Sequence, residues 1–245
     1  MQITPLLDGI AVMPADTFPT RPAGAEETFA LPIHAFLLRA PGLVALVDTG
    51  SAGNFGPGTG QCAQALAAAG VAPEQVSLIF LTHLHSDHFG GLTDASGAAR
   101  FPNARLVLSR VELDALPMAS EAARRALAAY DGRISGLSDG EPVAEGLRML
   151  PLPGHTPGHA GLVAADGTVI AGDIFHNAVW QASNPGLFVK YDHDGPRAAA
   201  TRLALLSELA ATQRALYAAH LAGGGPYRVT ASGAGFAVDS PRPLA

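Results

Sequence analysis

The chain has 245 residues, a formal net charge of −6 and only 15 lysines and arginines. Binding to a nucleic-acid backbone requires a basic surface, and the longest basic cluster is Arg124-Arg125, which argues against a nucleic-acid partner. No apolar run has the roughly 18 residues that a membrane helix needs. The N-terminus lacks a signal-peptide pattern, and the single cysteine cannot form an internal disulfide. We therefore predict a cytoplasmic protein without a membrane partner.

The N-terminal half is predicted to contain strands and one short helix. Residues 2–13 and 31–48 are predicted as strands, and Gly42 marks a hairpin turn within the second. Residues 60–70 form an alanine-rich helix that a glycine closes. Residues 76–82 are a short apolar run rich in β-branched and aromatic side chains, which is typical of a buried strand.

The C-terminal half is predicted to continue this mixture of strands and helices. Residues 109–130 are predicted as one or two helices broken near Pro117, and residues 147–151 and 161–171 as strands. Asp194-Gly195-Pro196 indicates the start of a further helix, with proline in its first turn, that continues to about residue 213. Its buried face is predicted to consist of apolar side chains: Ala199, Leu203, Leu206, Leu209 and Ala210.

The segment at the end of the 76–82 strand carries the most specific chemistry in the chain. From His83 to His88 it has the pattern H-x-H-x-D-H, and zinc binds imidazole and carboxylate at about 2.0–2.2 Å. In an extended chain His83 and His85 point the same way. Asp87 and His88 lie at the turn into two glycines, so they can address a different point. Two ligand pairs aimed at neighbouring points predict two metal ions.

Three later stretches offer ligands of the same types. Residues 153–159 form a loop with two imidazoles, an apolar strand ends in Gly172-Asp173, and another apolar run ends in His220. Strand ends and the loops after them are where α/β proteins assemble their sites. Because these ligands extend from His83 to His220, both halves of the chain are expected to fold around one site, as a single domain over residues 1–245.

Together these motifs resemble the metallo-β-lactamase superfamily, whose usual D-T-G strand end is matched by Asp48-Thr49-Gly50. The branch of methyl parathion hydrolase and the quorum-quenching lactonases is the most similar one, through residues 54–60, residues 172–176 and the region of His220. The resemblance implies an α/β fold, a four-layer αββα sandwich with a dinuclear site at one edge. A homodimer is a further expectation that rests on this resemblance alone.

The resemblance also implies a role for each residue of the motifs. The first metal ion is expected on three imidazoles, namely His83, His85 and His155. The second is expected on Asp87, His88 and His220, and Asp173 is expected to bridge the two ions. Asp48 and His159 are expected to orient the ligands through hydrogen bonds. The chain departs from the family after His220, where many relatives have an H-x-P-x-P-G-like stretch and this one has Leu221-Ala222-Gly223-Gly224-Gly225.

This ligand set indicates a hydrolase. Imidazole and carboxylate without thiolate suit zinc, although iron, manganese or cobalt would also bind. Two such cations lower the pKa of a shared water and polarise a carbonyl or phosphoryl oxygen. We therefore predict that a metal-bridging hydroxide cleaves a small ester, lactone or organophosphate triester, with Asp87 and His176 as candidate catalytic residues. Related lactonases carry tyrosine at the position of His176, for which we predict substrate binding or oxyanion stabilisation, or else a structural role at a strand end.

Two other functions remain open at this point. The same fold could hydrolyse a β-lactam or a glyoxalase II-type thioester, and a single iron would make the protein a persulfide-dioxygenase-like oxidoreductase. Aromatic side chains near the predicted centre suit a small, partly apolar substrate, with ordinary core packing as the alternative: Phe18, Phe55, Phe175, Trp180 and Phe188. His34, His193 and Cys62 are predicted to lie outside the site.

Overall fold

The computed structural model describes residues 1–239 and builds them around two β-sheets packed face to face. The first sheet has six strands that lie side by side in chain order: β1 (Gln2–Pro14), β2 (Thr28–Ala40), β3 (Leu43–Val47), β4 (Leu78–Phe80), β5 (Arg105–Ser109) and β6 (Ile134–Leu137). Strands β1 to β3 are antiparallel, and β3 to β6 are parallel. Several chain segments therefore end at the same edge of this sheet.

The second sheet has five strands, which also follow chain order: β7 (Pro142–Ala144), β8 (Leu147–Pro151), β9 (Ala160–Ala164), β10 (Val169–Ile170) and β11 (Leu216–Tyr217). Its strands are antiparallel except for the parallel pair β10 and β11. A separate hairpin follows, made of β12 (Arg228–Ser232) and β13 (Gly235–Asp239). The helices are α1 (Cys62–Ala68), α2 (Ser86–Phe89), α3 (Arg110–Asp114), α4 (Glu121–Ala128), α5 (Ala178–Ser183) and α6 (Gly195–Thr212).

Three apolar clusters separate four layers. The central cluster lies between the sheets, where Phe36 and Phe80 of the first face Met149 and Leu162 of the second. A second cluster packs α1 and α4 on the outer face of the first sheet, and a third packs α6 on the outer face of the second. Burial of apolar side chains on both faces of each sheet is the main force holding the layers together. The predicted αββα sandwich is confirmed.

The structure confirms most of the predicted elements. The hairpin of β2 and β3 turns at Gly42, which has a φ of +72°; this left-handed conformation is one that glycine adopts readily. Two helices, α3 and α4, occupy residues 110–128, with a short 3-10 turn at Pro117 between them. Cys62 is buried, as expected for packing, and burial raises the pKa of its thiol to about 12. None of the helices within residues 1–239 is long and apolar enough to cross a membrane.

The prediction of a single strand over residues 161–171 is wrong. Strand β9 ends at Ala164, and the chain reverses through Asp166 and Gly167 before β10 begins. Gly167 has a φ of +84°, and the Asp166 carboxylate accepts a hydrogen bond from the Thr168 N–H at 2.9 Å. An Asp-Gly pair between apolar residues is a hairpin signal. Because apolar residues lie on both sides of this pair, the sequence pattern resembled one continuous strand and the hairpin was missed.

The predicted buried face of α6 is wrong in part. The capping by Asp194 is confirmed, because its carboxylate accepts from the Arg197 N–H at 3.0 Å. Leu206 and Leu209 are buried, but Leu203 is 50% exposed. The buried stripe contains Arg202, which is only 1% exposed. A search for apolar positions alone passes over a charged residue on the inner face of a helix.

Candidate metal centre

The predicted ligands lie at the carboxyl ends of strands from both sheets. His83 follows β4 and Asp48 follows β3, whereas Asp173 and His220 follow the parallel pair β10 and β11. The packing of the sheets brings these ends to one edge of the sandwich. The backbone of His85 is still extended, with φ −88° and ψ 153°, and the next residue begins α2. The change from strand to helix within the motif therefore separates its two ligand pairs.

One group consists of three imidazoles. The Nε2 atom of His83 lies 3.0 Å from Nδ1 of His85, which lies 2.9 Å from Nε2 of His155. Ligands held 2.0–2.2 Å from one tetrahedral ion lie roughly 3.3–3.6 Å from each other. The structure thus brings together the three imidazoles predicted for the first ion, close enough that they could hold a single ion.

The second group consists of two imidazoles and two carboxylates. Asp87 Oδ2 lies 3.5 Å from Nε2 of both His88 and His220. Asp173 Oδ1 lies 3.0 Å from His88 Nε2, and its Oδ2 lies 3.2 Å from His220 Nε2. The same Oδ2 atom is 3.3 Å from Nε2 of His155 in the first group. Asp173 therefore stands between the two groups, where a bridging carboxylate was predicted.

Asp48 orients the imidazoles of His88 and His83 through their Nδ1 atoms, directly in His88 and by way of Thr82 in His83. It accepts a hydrogen bond from Nδ1 of His88 at 2.8 Å. It also accepts one at 2.9 Å from the Thr82 hydroxyl, whose oxygen lies 3.0 Å from Nδ1 of His83. An oxygen acceptor at Nδ1 keeps the proton on that atom and leaves the Nε2 lone pair free for a metal. This placement matches the orienting role predicted for Asp48.

Two further oxygens do the same for the remaining Nε2 ligands, and sequence reasoning missed both. Asp192 Oδ1 accepts from Nδ1 of His155 at 2.7 Å, and the Pro32 carbonyl accepts from Nδ1 of His220 at 2.7 Å. Neither position stands in a motif. The Pro32 carbonyl is backbone, which has no signal in the sequence, and Asp192 is a single acidic residue in a loop.

His159 holds Asp173 through the backbone. Its Nδ1 donates to the Leu152 carbonyl at 2.8 Å, and its Nε2 accepts from the Asp173 N–H at 3.0 Å. Burial and the nearby His155 lower the pKa of His159 to about 3, so this imidazole remains neutral. A neutral ring is required because its Nε2 acts as an acceptor. The predicted orienting role has a geometric basis here.

The charges of the centre favour a cation. Asp48, Asp87 and Asp173 are buried, and within residues 1–239 their ion pairs are all with imidazoles. Burial opposes ionisation of Asp173, but the positive charge of His220 and His88 holds its pKa well below the usual range. Burial also opposes protonation of His88, and the charge of Asp173 raises its pKa well above the usual value. A buried group of carboxylates is stable only with compensating positive charge.

The donor set fits divalent metal ions. Nε2 of His88 and Oδ1 of Asp173 are buried, 3.0 Å apart and without a hydrogen bond to any described residue. Buried polar atoms are rarely left without a partner. A ring nitrogen and a carboxylate oxygen that approach this closely, with no other partner, are expected where both face the same ion. His83, His85 and His155 would hold one ion, and Asp87, His88, Asp173 and His220 the other.

An open cleft of about 260 Å³ reaches both donor groups. His176 lies at its wall, with Nε2 3.5 Å from Asp173 Oδ2 and with a buried Nδ1 that has no hydrogen-bond partner among the described residues. The rest of the wall is mainly apolar or aromatic, with Met13, Leu31, Phe55 and Tyr191. His176 and His220 also line an adjoining, larger groove of about 510 Å³.

Of the five aromatic residues singled out in the sequence, Phe55 lines this cleft. Phe18 and Trp180 pack edge-on with centroids 5.2 Å apart, and Phe175 is buried beneath α6. Phe188 packs against Gly195, where a Cβ atom would approach its ring to 2.3 Å. Core packing, the alternative interpretation, therefore describes Phe18, Phe175 and Trp180, whereas Phe188 is half-buried against the start of α6.

The loop that carries Phe55 is anchored by a residue that the sequence did not reveal. Asp8 lies at a bulge in β1 and is fully buried. Its carboxylate accepts hydrogen bonds from Ser51 N and Oγ, Gly60 N and Cys62 N, at 2.5–3.1 Å. One buried carboxylate thus closes both ends of the loop over residues 51–60. His34 and His193 lie outside the cleft, as expected.

Replacing Asp192 by asparagine should weaken metal binding and lower kcat/KM by about 10–100-fold, the usual cost of losing a hydrogen bond that orients a ligand. In the wild type, Asp192 Oδ2 accepts a hydrogen bond from the Val189 N–H at 2.9 Å. If the asparagine turns its oxygen toward His155, its NH2 group faces this N–H and the second hydrogen bond is lost. Metal titration and steady-state kinetics measure the effect. Asp139→Asn, an exposed substitution, is the control. Wild-type values for D192N would contradict this role.

Comparison with known proteins places this geometry in a family. The model of the metallo-beta-lactamase superfamily matches residues 28–220. A mouse protein described as metallo-beta-lactamase domain-containing protein 1 is 35% identical over 153 residues, which cover 56% of this chain and 48% of that protein. The chain thus spans about half the length of that relative.

Two solved structures resemble the whole molecule. AidC, described as a dizinc quorum-quenching lactonase, superposes with a TM-score of 0.91 at 23% identity, covering 99% of this chain and 95% of AidC. The hydrolase AbOPH of the beta lactamase superfamily gives a TM-score of 0.89 at 28% identity, covering 100% and 95%. The fold, the spacing of the motifs and the match over residues 28–220 agree. This chain belongs to the metallo-beta-lactamase superfamily.

Proposed function

We propose that this chain is a dinuclear zinc hydrolase that cleaves a small, partly apolar lactone or ester, with organophosphate triesters open to the same chemistry. The observation that carries the proposal is the position of Asp173. One of its oxygens faces His88, and the other faces His220 and His155. A carboxylate shared in this way supports two ions, as opposed to the single iron of a dioxygenase.

The chemistry divides between the ions and the protein. Bound zinc ions supply an activated water and polarise the oxygen of the scissile group. The chain holds the ligands at fixed positions through Asp48, Asp192 and His159, so that little rearrangement is needed during turnover. Apolar side chains of the cleft exclude water around the substrate and bind its apolar part.

Lactones are favoured among the substrates for two reasons. The cleft wall combines apolar side chains with one imidazole, which suits a substrate with a carbonyl group and an apolar substituent. AidC, which has the same fold, is described as a quorum-quenching lactonase in complex with a product, an N-acyl-L-homoserine. A β-lactam or a thioester would place the same demands on the ions, so they are outcomes of the test.

The test begins with the metal content. We expect two zinc ions per chain by emission spectrometry, loss of hydrolysis after treatment with a chelator, and recovery when zinc is returned. The zinc-loaded protein is then assayed with acyl-homoserine lactones, aryl esters, phosphotriesters, a thioester and a chromogenic cephalosporin. The highest kcat/KM is expected for a lactone or ester. One iron per chain, or a cephalosporin or thioester as the fastest substrate, would contradict the proposal.

Replacing His176 by alanine is expected to lower kcat/KM by about 100-fold, because loss of one hydrogen-bond donor to a developing oxyanion typically costs about 10²–10³. Burial, together with the charge of His155, holds the pKa of His176 well below its usual value, so the ring is a neutral donor. Metal content should stay at two ions. His193→Ala, which removes an exposed imidazole, should leave both quantities unchanged.

The metal content of H176A also separates two roles. His176 lies within ligand distance of His155 and Asp173, a third possible arrangement of donors. A variant that retains both ions but has lost turnover supports substrate or oxyanion binding. A variant that has lost an ion would show His176 to be a ligand, and unchanged turnover would leave it with a structural role only.

A further inference from the structure

A buried carboxylate outside the metal motifs connects two of them. Glu112 lies on α3 and is 3% exposed. Its Oε1 accepts a hydrogen bond from the Leu84 N–H at 3.0 Å. Its Oε2 accepts from the Thr156 hydroxyl at 2.7 Å and from the Gly158 N–H at 3.0 Å. Glu112 forms no ion pair with any residue in the described part of the chain, so its carboxylate depends on these three hydrogen bonds and on its position in the first turn of α3.

The three donors belong to the loops that carry the first group of imidazoles. Leu84 lies between His83 and His85, and Thr156 directly follows His155. The two loops are about 70 residues apart in the sequence. Asp173 also approaches both of them, but only through the metal-facing nitrogens of His83 at 3.8 Å and His155 at 3.3 Å, whereas Glu112 bonds to the loops behind those imidazoles. Glu112 is therefore one of the groups that fix the position of one loop relative to the other, together with the hydrogen bond from the Ala160 N–H to the Thr82 carbonyl at 3.0 Å.

The backbone of α3 leaves this carboxylate little freedom. Ser109 caps the helix, because its hydroxyl accepts from the Glu112 N–H at 3.3 Å. Gly158 packs directly on the helix, where an added Cβ atom would lie 2.2 Å from the Glu112 nitrogen. The helix and the loop are in contact through backbone atoms, so a shorter side chain at position 112 could not be accommodated by moving them closer together.

We propose that Glu112 is a positioning residue that sets the separation of His83, His85 and His155, and thereby the affinity for the ion they hold. The inference rests on the proposed function in that it assumes two bound ions. Three of the four metal-binding side chains of the second group, namely His88, Asp173 and His220, are oriented by Asp48, His159 and the Pro32 carbonyl, and none of the four is hydrogen-bonded to Glu112. Loss of Glu112 should therefore weaken one of the two metal affinities and spare the other.

Glu112→Gln tests this with the least change in shape. An amide has one acceptor oxygen, so in either orientation its NH2 group faces a donor: the Leu84 N–H or the Gly158 N–H. Zinc is titrated into the chelator-treated protein against a competing chelator, and the two affinities are fitted separately. We expect one to fall by about 10–100-fold, with the other within about threefold. His85→Ala should weaken the same binding step, which identifies it as the three-imidazole site.

Two further variants complete the experiment. Thr156→Val removes one of the three hydrogen-bond donors and leaves the Glu112 carboxylate in place. It should weaken the same zinc-binding step by a smaller factor than E112Q. This variant tests the proposal even if E112Q fails to fold. Glu121→Gln replaces an exposed glutamate on α4 and should leave both affinities unchanged. Urea unfolding of the zinc-free variants separates general destabilisation from the selective loss.

The outcomes distinguish this inference from the proposed function. An equal loss at both sites, or no loss at either, overturns the role of Glu112. A wild-type protein that binds two zinc ions but hydrolyses none of the substrates contradicts the proposed function alone, and the affinities still test Glu112. A wild-type protein that binds fewer than two ions overturns both.

Discussion

Replacing Asp173 by asparagine is expected to lower kcat/KM by at least about 10³-fold and to reduce the metal content below two ions per chain. The carboxylate stands between both donor groups, and its oxygens lie 3.0–3.3 Å from His88, His220 and His155. An amide keeps the shape but loses the negative charge and one of the two acceptor oxygens. Two ions held by one fewer charge lose several kcal/mol of transition-state stabilisation, and each 1.36 kcal/mol is tenfold in rate.

The experiment compares D173N with the wild type by emission spectrometry and steady-state kinetics. Asp139→Asn has the same chemical change on the surface and should behave as the wild type in both assays. Full activity with two ions bound to D173N would mean that this carboxylate does not bridge the ions. Full metal content with lost activity would assign Asp173 to the reaction instead of to metal binding.

Replacing Arg202 by alanine is expected to lower the free energy of unfolding by about 3 kcal/mol or more. The guanidinium is buried on α6, and burial lowers its pKa to about 10. It donates to the carbonyls of Ile174, Pro185 and Leu187 at 2.6–2.9 Å. The Leu187 carbonyl keeps a second donor, Gln181 Nε2 at 3.3 Å, but the carbonyls of Ile174 and Pro185 lose theirs. Each buried carbonyl left without a partner costs roughly 1–3 kcal/mol, and the cavity left by the side chain adds to the loss.

Urea unfolding measures this effect, and Arg197→Ala, exposed on the same helix, is the control with an expected change within about 0.5 kcal/mol. The segment that Arg202 holds also carries His176. The backbone N–H of His176 donates to the side-chain oxygen of Gln181 at 2.6 Å. We therefore expect R202A to raise KM as well. A stability loss below about 1 kcal/mol, the lower limit for one such group, would show that water satisfies the carbonyls of Ile174 and Pro185.

The ligands of the candidate centre were largely predictable from the sequence because their spacing reflects local geometry. His83 and His85 lie on the same side of an extended chain, and α2 turns Asp87 and His88 toward the other donor group. Such relationships span a few residues and follow from the periods of strand and helix. Gly172-Asp173 and His220 were recognisable for a similar reason, since each ends an apolar strand.

Two predictions failed because hydrophobicity was given more weight than turn signals and helical spacing. The hairpin of β9 and β10 was hidden because apolar residues on both sides of Gly167 gave one continuous run. The inner face of α6 was misplaced because Arg202, a charged side chain, occupies the middle of it. In both cases the sequence contained the signal, an Asp-Gly pair and a regular helical spacing, but hydrophobicity outweighed it.

The sequence alone therefore determined the types of the candidate ligands and their pairing along the chain, because short-range geometry is a local property. The layered fold was implied by the resemblance of these motifs to a known superfamily. The tertiary structure alone decided which groups hold those ligands in place. Asp192, Glu112 and Asp8 are single acidic residues without a motif, and each acquires its partners only when distant loops meet at one edge of the sandwich. Hydrogen bonds across such distances depend on how the sheets pack, and no local pattern encodes that.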